Sequence, residues 1–338
     1  MSANYGIKRE RFKELTAQLR TKRVLIVGDV GVDRYTIGTA SRLSPEAPVP
    51  VLLVASQSDK LGMAANVADN VRAFGATPLL ASLVGEDRVC EEFFSLLKVS
   101  GIDAKQIHRH SSRRTSLKER VIAQPQHIVR IDHEMPMPLS AEAEKIFLDK
   151  TLPLLPQCDA VILEDYAKGV LTEGVLKAVI LEAKKHGKLV TTDPTTIVRR
   201  PADYKGVGLF KPNRDEASRL SGIDIKDAES LHKAGEYLLF EVEASMVVIT
   251  QGSAGMTLFT RTEKPVTIPT FARAVYDVSG AGDTVIAMLT LGLACGATLT
   301  ESAVLANFAA GVEVGKQGTA TVTLQELEEY MKRFGALL

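Results

Sequence analysis

A doubly wound α/β fold, a mostly parallel sheet flanked by helices, is what this sequence predicts. Continuous apolar runs recur along the chain, and such runs mark strands buried on both faces, as in parallel sheets. Stretches with helical periodicity separate them, and strand–helix alternation is the signature of a layered α/β domain. Polar residues cluster just after the apolar runs, at the carboxyl edge where sheets of this kind bind ligands.

The elements follow in order. Residues 8–20 read as a short amphipathic helix, then Val24–Val27 as a buried strand that ends at Gly28-Asp29. Further buried strands are expected at Pro78–Val84, Ala160–Leu163, Leu189–Thr192, Val207–Phe210 and Met246–Thr250. Helices are expected at Ala64–Phe74, Glu86–Lys98, Ala141–Leu152, Thr172–His186 and Asp227–Phe240, with another starting at the apolar run Thr284–Leu291. Two stretches, 36–55 and 115–131, break the alternation and read as extended segments outside the main sheet. Together they predict a small β lid whose apolar residues pack on something, a second subunit being one choice.

Composition excludes several classes. With 338 residues and 45% hydrophobic content the chain can bury a large core as one domain. Forty-one basic residues balance 41 acidic ones, which argues against a nucleic-acid binder. Cys90, Cys158 and Cys295 are far apart and odd in number, so neither a zinc site nor a disulfide framework is expected. No apolar run approaches the roughly 18 residues of a membrane span, and the polar N-terminus lacks a signal-peptide core. The expectation is a cytoplasmic protein without a membrane partner. His108 and His110 lie in a polar stretch and read as surface residues.

The chemistry centres on Asp277-Val278-Ser279-Gly280-Ala281-Gly282-Asp283. Small residues let the backbone turn tightly, and the helix that follows aims unpaired N–H groups and its positive dipole end at the turn. That is an anion site. Asp283 in the first helical turn can face the same spot and take a proton from a hydroxyl attacking a phosphoryl group. The turn taken alone also fits a simple helix start in which Asp283 only stabilises the helix. No P-loop is present, since Gly311–Lys316 lacks the spacing, and no dinucleotide fingerprint or nucleophile elbow occurs.

Other segments now align with this turn. Gly62-Met63-Ala64-Ala65-Asn66, Asn213-Arg214-Asp215-Glu216 and Thr250-Gln251-Gly252-Ser253-Ala254-Gly255 precede it in order. Together the four motifs resemble those of the ribokinase-like, PfkB-type carbohydrate kinases, across roughly residues 20 to 330. The segments 28–35, 41–50, 165–171 and 314–322 are most similar to the bacterial D-glycero-β-D-manno-heptose 7-phosphate kinases, the kinase part of the bifunctional ADP-heptose synthesis proteins. The His-x-Gly-His motif of their nucleotidyltransferase part does not occur, so a single kinase domain over 1–338 is expected.

The resemblance implies ATP-dependent phosphorylation of the C1 hydroxyl of heptose 7-phosphate, on the ADP-heptose route to lipopolysaccharide core. A fructokinase or ribokinase type stays open, as does a catalytically silent sugar and nucleotide sensor. Asp283 is then the base, with the backbone of Gly280, Ala281 and Gly282 as the anion hole. Asn213, Arg214, Asp215, Glu216, Thr250, Gly252, Gly255 and Asn307 are assigned to ATP. Glu216 orients the water shell of Mg²⁺, and the same pair, Asn213 and Glu216, also fits a helix capping box.

Asp33, Gly62, Asn66, Lys118, Arg120 and Asp165 are assigned to the sugar phosphate, with Arg130 as a further cation in the lid. A monovalent cation near Asp277 and a homodimer formed through the lid are also implied. Met63 replaces a glycine of the sugar motif, Glu119 an apolar residue and Thr195 a lysine.

Overall fold

The computed structural model describes residues 5–123, 126–272 and 275–338. In chain order its elements are α1 (Arg9–Leu19), β1 (Arg23–Gly28), β2 (Val30–Leu43), β3 (Pro50–Met63), α2 (Ala64–Ala73), β4 (Thr77–Val84), α3 (Arg88–Ser100), β5 (Ile107–Arg109), β6 (Ser116–Ala123) and β7 (Gln126–His133). There follow α4 (Ala141–Thr151), β8 (Ala160–Glu164), α5 (Glu173–Lys185), β9 (Leu189–Asp193), β10 (Leu209–Phe210), α6 (Arg214–Ser221), α7 (Ala228–Glu241), β11 (Met246–Thr250), β12 (Met256–Thr260), β13 (Val266–Ile268), α8 (Ala281–Ala294), α9 (Leu299–Glu313) and α10 (Leu324–Arg333).

Among the described residues the main sheet runs β13-β12-β11-β10-β9-β8-β1-β4-β5. From β11 to β5 all pairings are parallel, while β12 and β13 add an antiparallel edge. Strand β1 sits between β8 and β4, and its side chains alternate between the two faces. Val24 and Ile26 enter a core built with α1, α2, α3, α8, α9 and α10. Leu25 and Val27 enter the opposite core, built with α4, α5, α6 and α7. Every β1 residue from Val24 to Val27 is fully buried, so a continuous apolar run was required there. Among the described residues, no helix is long and apolar enough to cross a membrane.

The two extended stretches form a separate four-stranded sheet of order β3-β2-β6-β7. It is wider than the sequence indicated. Strand β2 begins at Val30, six residues before the expected edge, and β3 runs on to Met63. The polar 28–35 segment therefore belongs to this sheet, and Asp33 pairs in register with Lys60 on one side and Lys118 on the other. The short strands β5, β12 and β13 were not anticipated, and His108, read as a surface residue, lies half-buried in β5.

Candidate active site

The helix α8 begins at a glycine with a backbone that only glycine adopts easily. Gly280 has φ +95° and no side chain caps the helix start. The first N–H groups of a helix lack intrahelical acceptors, and that of Ala281 reaches the Val278 carbonyl only at 3.4 Å. A Cβ on Gly280 would lie 3.0 Å from Asn66 Nδ2 and 3.2 Å from Glu313 Oε1, so the turn is also tightly enclosed. Asp277 ties the turn from behind, accepting from Ser279 N at 2.9 Å and from Gly318 N at 3.1 Å.

Asp283 does not cap its own helix, which removes that reading of the turn. Its Oδ2 accepts from Asn66 Nδ2 at 2.6 Å and its Oδ1 from the Tyr166 hydroxyl at 3.0 Å. Asn66 lies in α2 and Tyr166 just beyond β8, so three elements fix one carboxylate. Burial pushes the Asp283 carboxyl up to about 7, against the Asn66 and Tyr166 donations, and nearby Asp193 adds to the rise. A carboxylate with a pKa near neutrality is suited to accepting a proton from a hydroxyl.

Opposite this group, Lys211 Nζ pairs with Asp193 Oδ2 at 2.6 Å, with Lys211 nearly fully buried. Burial disfavours charge on Lys211, but Asp193, Glu216 and Glu164 together outweigh it and raise the lysine. A Cβ on Gly282 would face Asp193 at 3.7 Å and Lys211 at 3.8 Å, so the open side of the turn looks at this pair. Glu164 is buried beside them with Oε2 unpartnered among the described residues. Its carboxyl is raised by burial and by Asp193 and Asp283. These groups line a cleft of about 1000 Å³ along the carboxyl edge of the main sheet.

The other sequence-predicted residues fall into distinct places. Asn213 and Glu216 form the capping box of α6, with Asn213 Oδ1 accepting from Glu216 N at 2.9 Å and Glu216 Oε2 from Asn213 N at 2.7 Å. Both still line the cleft, and burial and Asp193 push Glu216 up to about 7. Arg214 lines it too, though its guanidinium donates to the Ile225 carbonyl at 2.6 Å, and Asp215 is exposed. Thr250, Gly252 and Gly255 form the strand-turn beside them.

Asn307 spends its amide on the chain across the cleft. Its Nδ2 donates to the Pro269 carbonyl at 2.9 Å and its Oδ1 accepts from Phe271 N at 3.2 Å. Phe271 in turn stacks on Phe308 with ring centroids 4.1 Å apart. Asn307 thus holds the 269–271 segment while still lining the cleft.

Several sugar candidates are already engaged, Asn66 by Asp283 as above and Lys118 by Glu134. Asp33 Oδ1 accepts from Arg120 Nη1 at 2.7 Å, and a Cβ on Gly62 would press on the Asp33 carboxylate. Asp165 accepts from Arg199 Nε at 2.9 Å and from the Tyr204 hydroxyl at 2.9 Å, so it braces the loop that carries Tyr166. Lys118, Arg120 and Arg130 do line the cleft. Met63 adopts φ +61°, a conformation that explains a glycine at such a position, yet its buried side chain packs beside Gly31 and is not among the cleft-lining groups. Thr195 is a turn residue, its Oγ1 accepting from Ile197 N at 3.3 Å.

Sequence reasoning missed the pairing of Asp193 with Lys211, which directly follow the expected strands Leu189–Thr192 and Val207–Phe210, and it missed the places of Tyr166 and Glu313. Glu313 is fully buried in α9 with neither carboxylate oxygen partnered among the described residues. Burial pushes it up to about 8, and the nearby Asp283 and Asp277 carboxylates add to the rise. The signal that was available for Glu313 is an acid within an otherwise apolar helix.

Comparison with known proteins follows the same lines. Residues 22–326 match the pfkB family carbohydrate kinases. A protein named "Bifunctional protein HldE" from Citrifermentans bemidjiense is 43% identical over 305 residues, covering 90% of this chain and 62% of its own length. The protein of the same name from Wolinella succinogenes is 43% identical over 94% of this chain and 66% of its own length. The chain therefore spans less than two thirds of the curated relatives it matches. Among solved structures, Arabidopsis thaliana ribokinase complexed with ribose and ATP superposes with a TM-score of 0.75 at 20% identity, covering 92% of this chain and 99% of that one. Escherichia coli phosphofructokinase-2 in complex with potassium gives 0.74 at 20% identity, over 93% and 99%. Both share the ribokinase-like fold.

Proposed function

The chain belongs to the pfkB family of carbohydrate kinases, and on that premise we propose that it transfers the γ-phosphoryl of ATP to the C1 hydroxyl of D-glycero-β-D-manno-heptose 7-phosphate, giving the 1,7-bisphosphate for ADP-heptose and lipopolysaccharide core synthesis. The observation that carries this reading is one cleft lined both by Asp283 beside the Gly280–Gly282 turn and by the basic side chains Lys118, Arg120, Arg130 and Lys168. A hydroxyl and a phosphate on one acceptor match that layout. Similarity to proteins named HldE over at least 90% of the chain supports the same choice.

In this reading Asp283 takes the proton of the acceptor hydroxyl as its oxygen bonds to the γ-phosphorus, and ADP leaves. Asn66 and Tyr166 hold the base, and the first N–H groups of α8 meet the negative charge on the transferring group. Lys211 supplies a fixed positive charge opposite the turn. Glu216 and the unpartnered Glu164 Oε2 offer the oxygen donors that a hard, hydrated Mg²⁺ prefers, and the metal would neutralise phosphate charge there.

We take the second sheet as the lid over the acceptor. It exposes the apolar residues Leu43, Leu53, Val54 and Val129, and we assign this apolar surface to a homodimer contact. A location in the cytoplasm completes the reading.

A coupled ADP-release assay against heptose 7-phosphate, fructose, fructose 6-phosphate and ribose tests it. Heptose 7-phosphate should exceed the unphosphorylated sugars in kcat/KM by at least about 100-fold. Equal or better turnover of fructose or ribose overturns the assignment in favour of a fructokinase or ribokinase. Nucleotide binding without turnover of any sugar overturns it in favour of a sensor.

A further inference from the structure

Two ammonium groups at the second-sheet end of the cleft converge on one carboxylate. Lys118 Nζ, on β6, lies 3.0 Å from Glu134 Oε2. Lys168 Nζ, on the loop after β8, lies 2.5 Å from Glu134 Oε1. Asp132 stands farther off, 3.6 Å from Lys118. The three side chains of the Lys118–Glu134–Lys168 bridge are only 14–16% exposed. Both lysines line the cleft that holds Asp283. The remaining cations of that end have other carboxylates: Arg120 has Asp33 at 2.7 Å and Arg130 has Asp132 at 2.8 Å.

The two lysines are held differently from the glutamate. Lys118 is fixed by the strand pairings of β6 with β2 and β7. The Lys168 loop is fixed by Asp29, which accepts from Lys168 N at 2.8 Å and Val170 N at 2.9 Å, and by Arg113, which donates to the Lys168 carbonyl at 2.8 Å. Glu134 follows the end of β7 in a stretch without regular structure that reaches to α4. Two positive charges placed this close repel unless an anion lies between them. A carboxylate cancels one of the two, whereas a phosphate monoester dianion cancels both and offers three acceptor oxygens.

We propose that Lys118 and Lys168 form the seat for the phosphate monoester of the acceptor, and that Glu134 is a displaceable stand-in that occupies it when no substrate is bound. The proposal rests on the sugar-phosphate reading above and names the residues that recognise the phosphate. It also links that recognition to the base, because Lys168 and Tyr166 share one braced loop and Tyr166 holds Asp283. Glu134 then acts as a selectivity device: a neutral sugar cannot compensate the lysines it would leave unpaired, and a phosphorylated one can.

The test uses the full chain with a saturating non-hydrolysable ATP analogue, which fills the other phosphate-binding region. Inorganic phosphate is the probe, and its binding is measured by calorimetry for the wild type, Glu134→Gln and Lys168→Met. Removing the competing charge in Glu134→Gln should tighten phosphate binding by about fivefold or more, and Lys168→Met should weaken it by a similar factor or abolish it. In turnover, Lys168→Met should raise KM for a phosphorylated acceptor far more than for an unphosphorylated one. Unchanged or weaker phosphate binding in a folded Glu134→Gln overturns the proposal. Should that variant not fold, Glu134→Ala serves as the second. Equal loss for both acceptor types in Lys168→Met also overturns it. Because the binding arm needs no sugar, a correct phosphate response without heptose phosphate turnover sinks the proposed function and leaves the seat standing.

Discussion

The Tyr166 hydroxyl donates to Asp283 Oδ1 at 3.0 Å across 117 residues of sequence, while Asn66 grips the other oxygen at 2.6 Å. The two contacts leave the carboxylate one orientation and oppose its protonation. Burial works the other way and wins, which raises the Asp283 pKa to about 7.

Replacing Asp283 by Asn keeps the size and both neighbours but removes the proton acceptor. The kcat of Asp283→Asn should fall by about 100-fold or more, with a melting temperature at or above that of the wild type, because a buried charge is lost. Near-normal turnover by the purified variant would show that another group takes the proton.

Tyr166→Phe deletes one donation to the ionised base, so the Asp283 pKa should rise further. Only the ionised form accepts a proton, and activity is therefore lost as pH falls through that pKa. The acid limb of kcat/KM should move to higher pH, and the deficit should be larger at pH 6.5 than at pH 8.5. An unmoved limb with a uniform loss would reduce Tyr166 to a packing role.

The glycines of the turn should separate backbone demand from space. Ala at 280 must take φ +95° and brings its Cβ to 3.0 Å from the Asn66 amide that holds the base. Gly280→Ala should lower both the melting temperature and kcat, the latter by about tenfold or more. Gly282→Ala meets only ordinary contacts at 3.7 Å and 3.8 Å and should keep the wild-type melting temperature. Equal melting temperatures for the two variants would contradict this reading.

Glu313 carries a pH signature in stability. Its folded-state pKa of about 8 lies above the ordinary value of 4.5, so the folded chain binds that proton more tightly than the unfolded one. Its contribution is full below pH 4.5 and is lost as pH rises through about 8. Glu313→Gln removes the dependence, and its melting temperature relative to the wild type should climb from pH 6 to pH 9. A pH-independent difference in thermal unfolding would refute the assignment.

Much of the fold was legible because burial on two faces leaves a mark in the residues themselves. Val24–Val27 has no polar member because both faces of β1 are covered, and the Met246–Thr250 strand was read to the residue. The edge strands β12 and β13 and the three-residue β5 carry no such run and passed unread. At the site, the local motifs were legible: glycine at 280 for a backbone reason, Asn213 and Glu216 as a reciprocal cap.

The sequence alone determined the doubly wound class, the glycine turn that opens α8 and the resemblance to carbohydrate kinases, since each rests on residues within a few positions of one another. Tertiary structure alone decided which partner each polar side chain meets. Asp33, Asp165 and Asn307 are engaged by Arg120, Arg199 and the 269–271 segment, while Tyr166, the Lys211–Asp193 pair and Glu134 enter the site. A polar residue's type states only what it can bond. Its partner is set by the crossing of distant elements, and no spacing along the chain records that crossing.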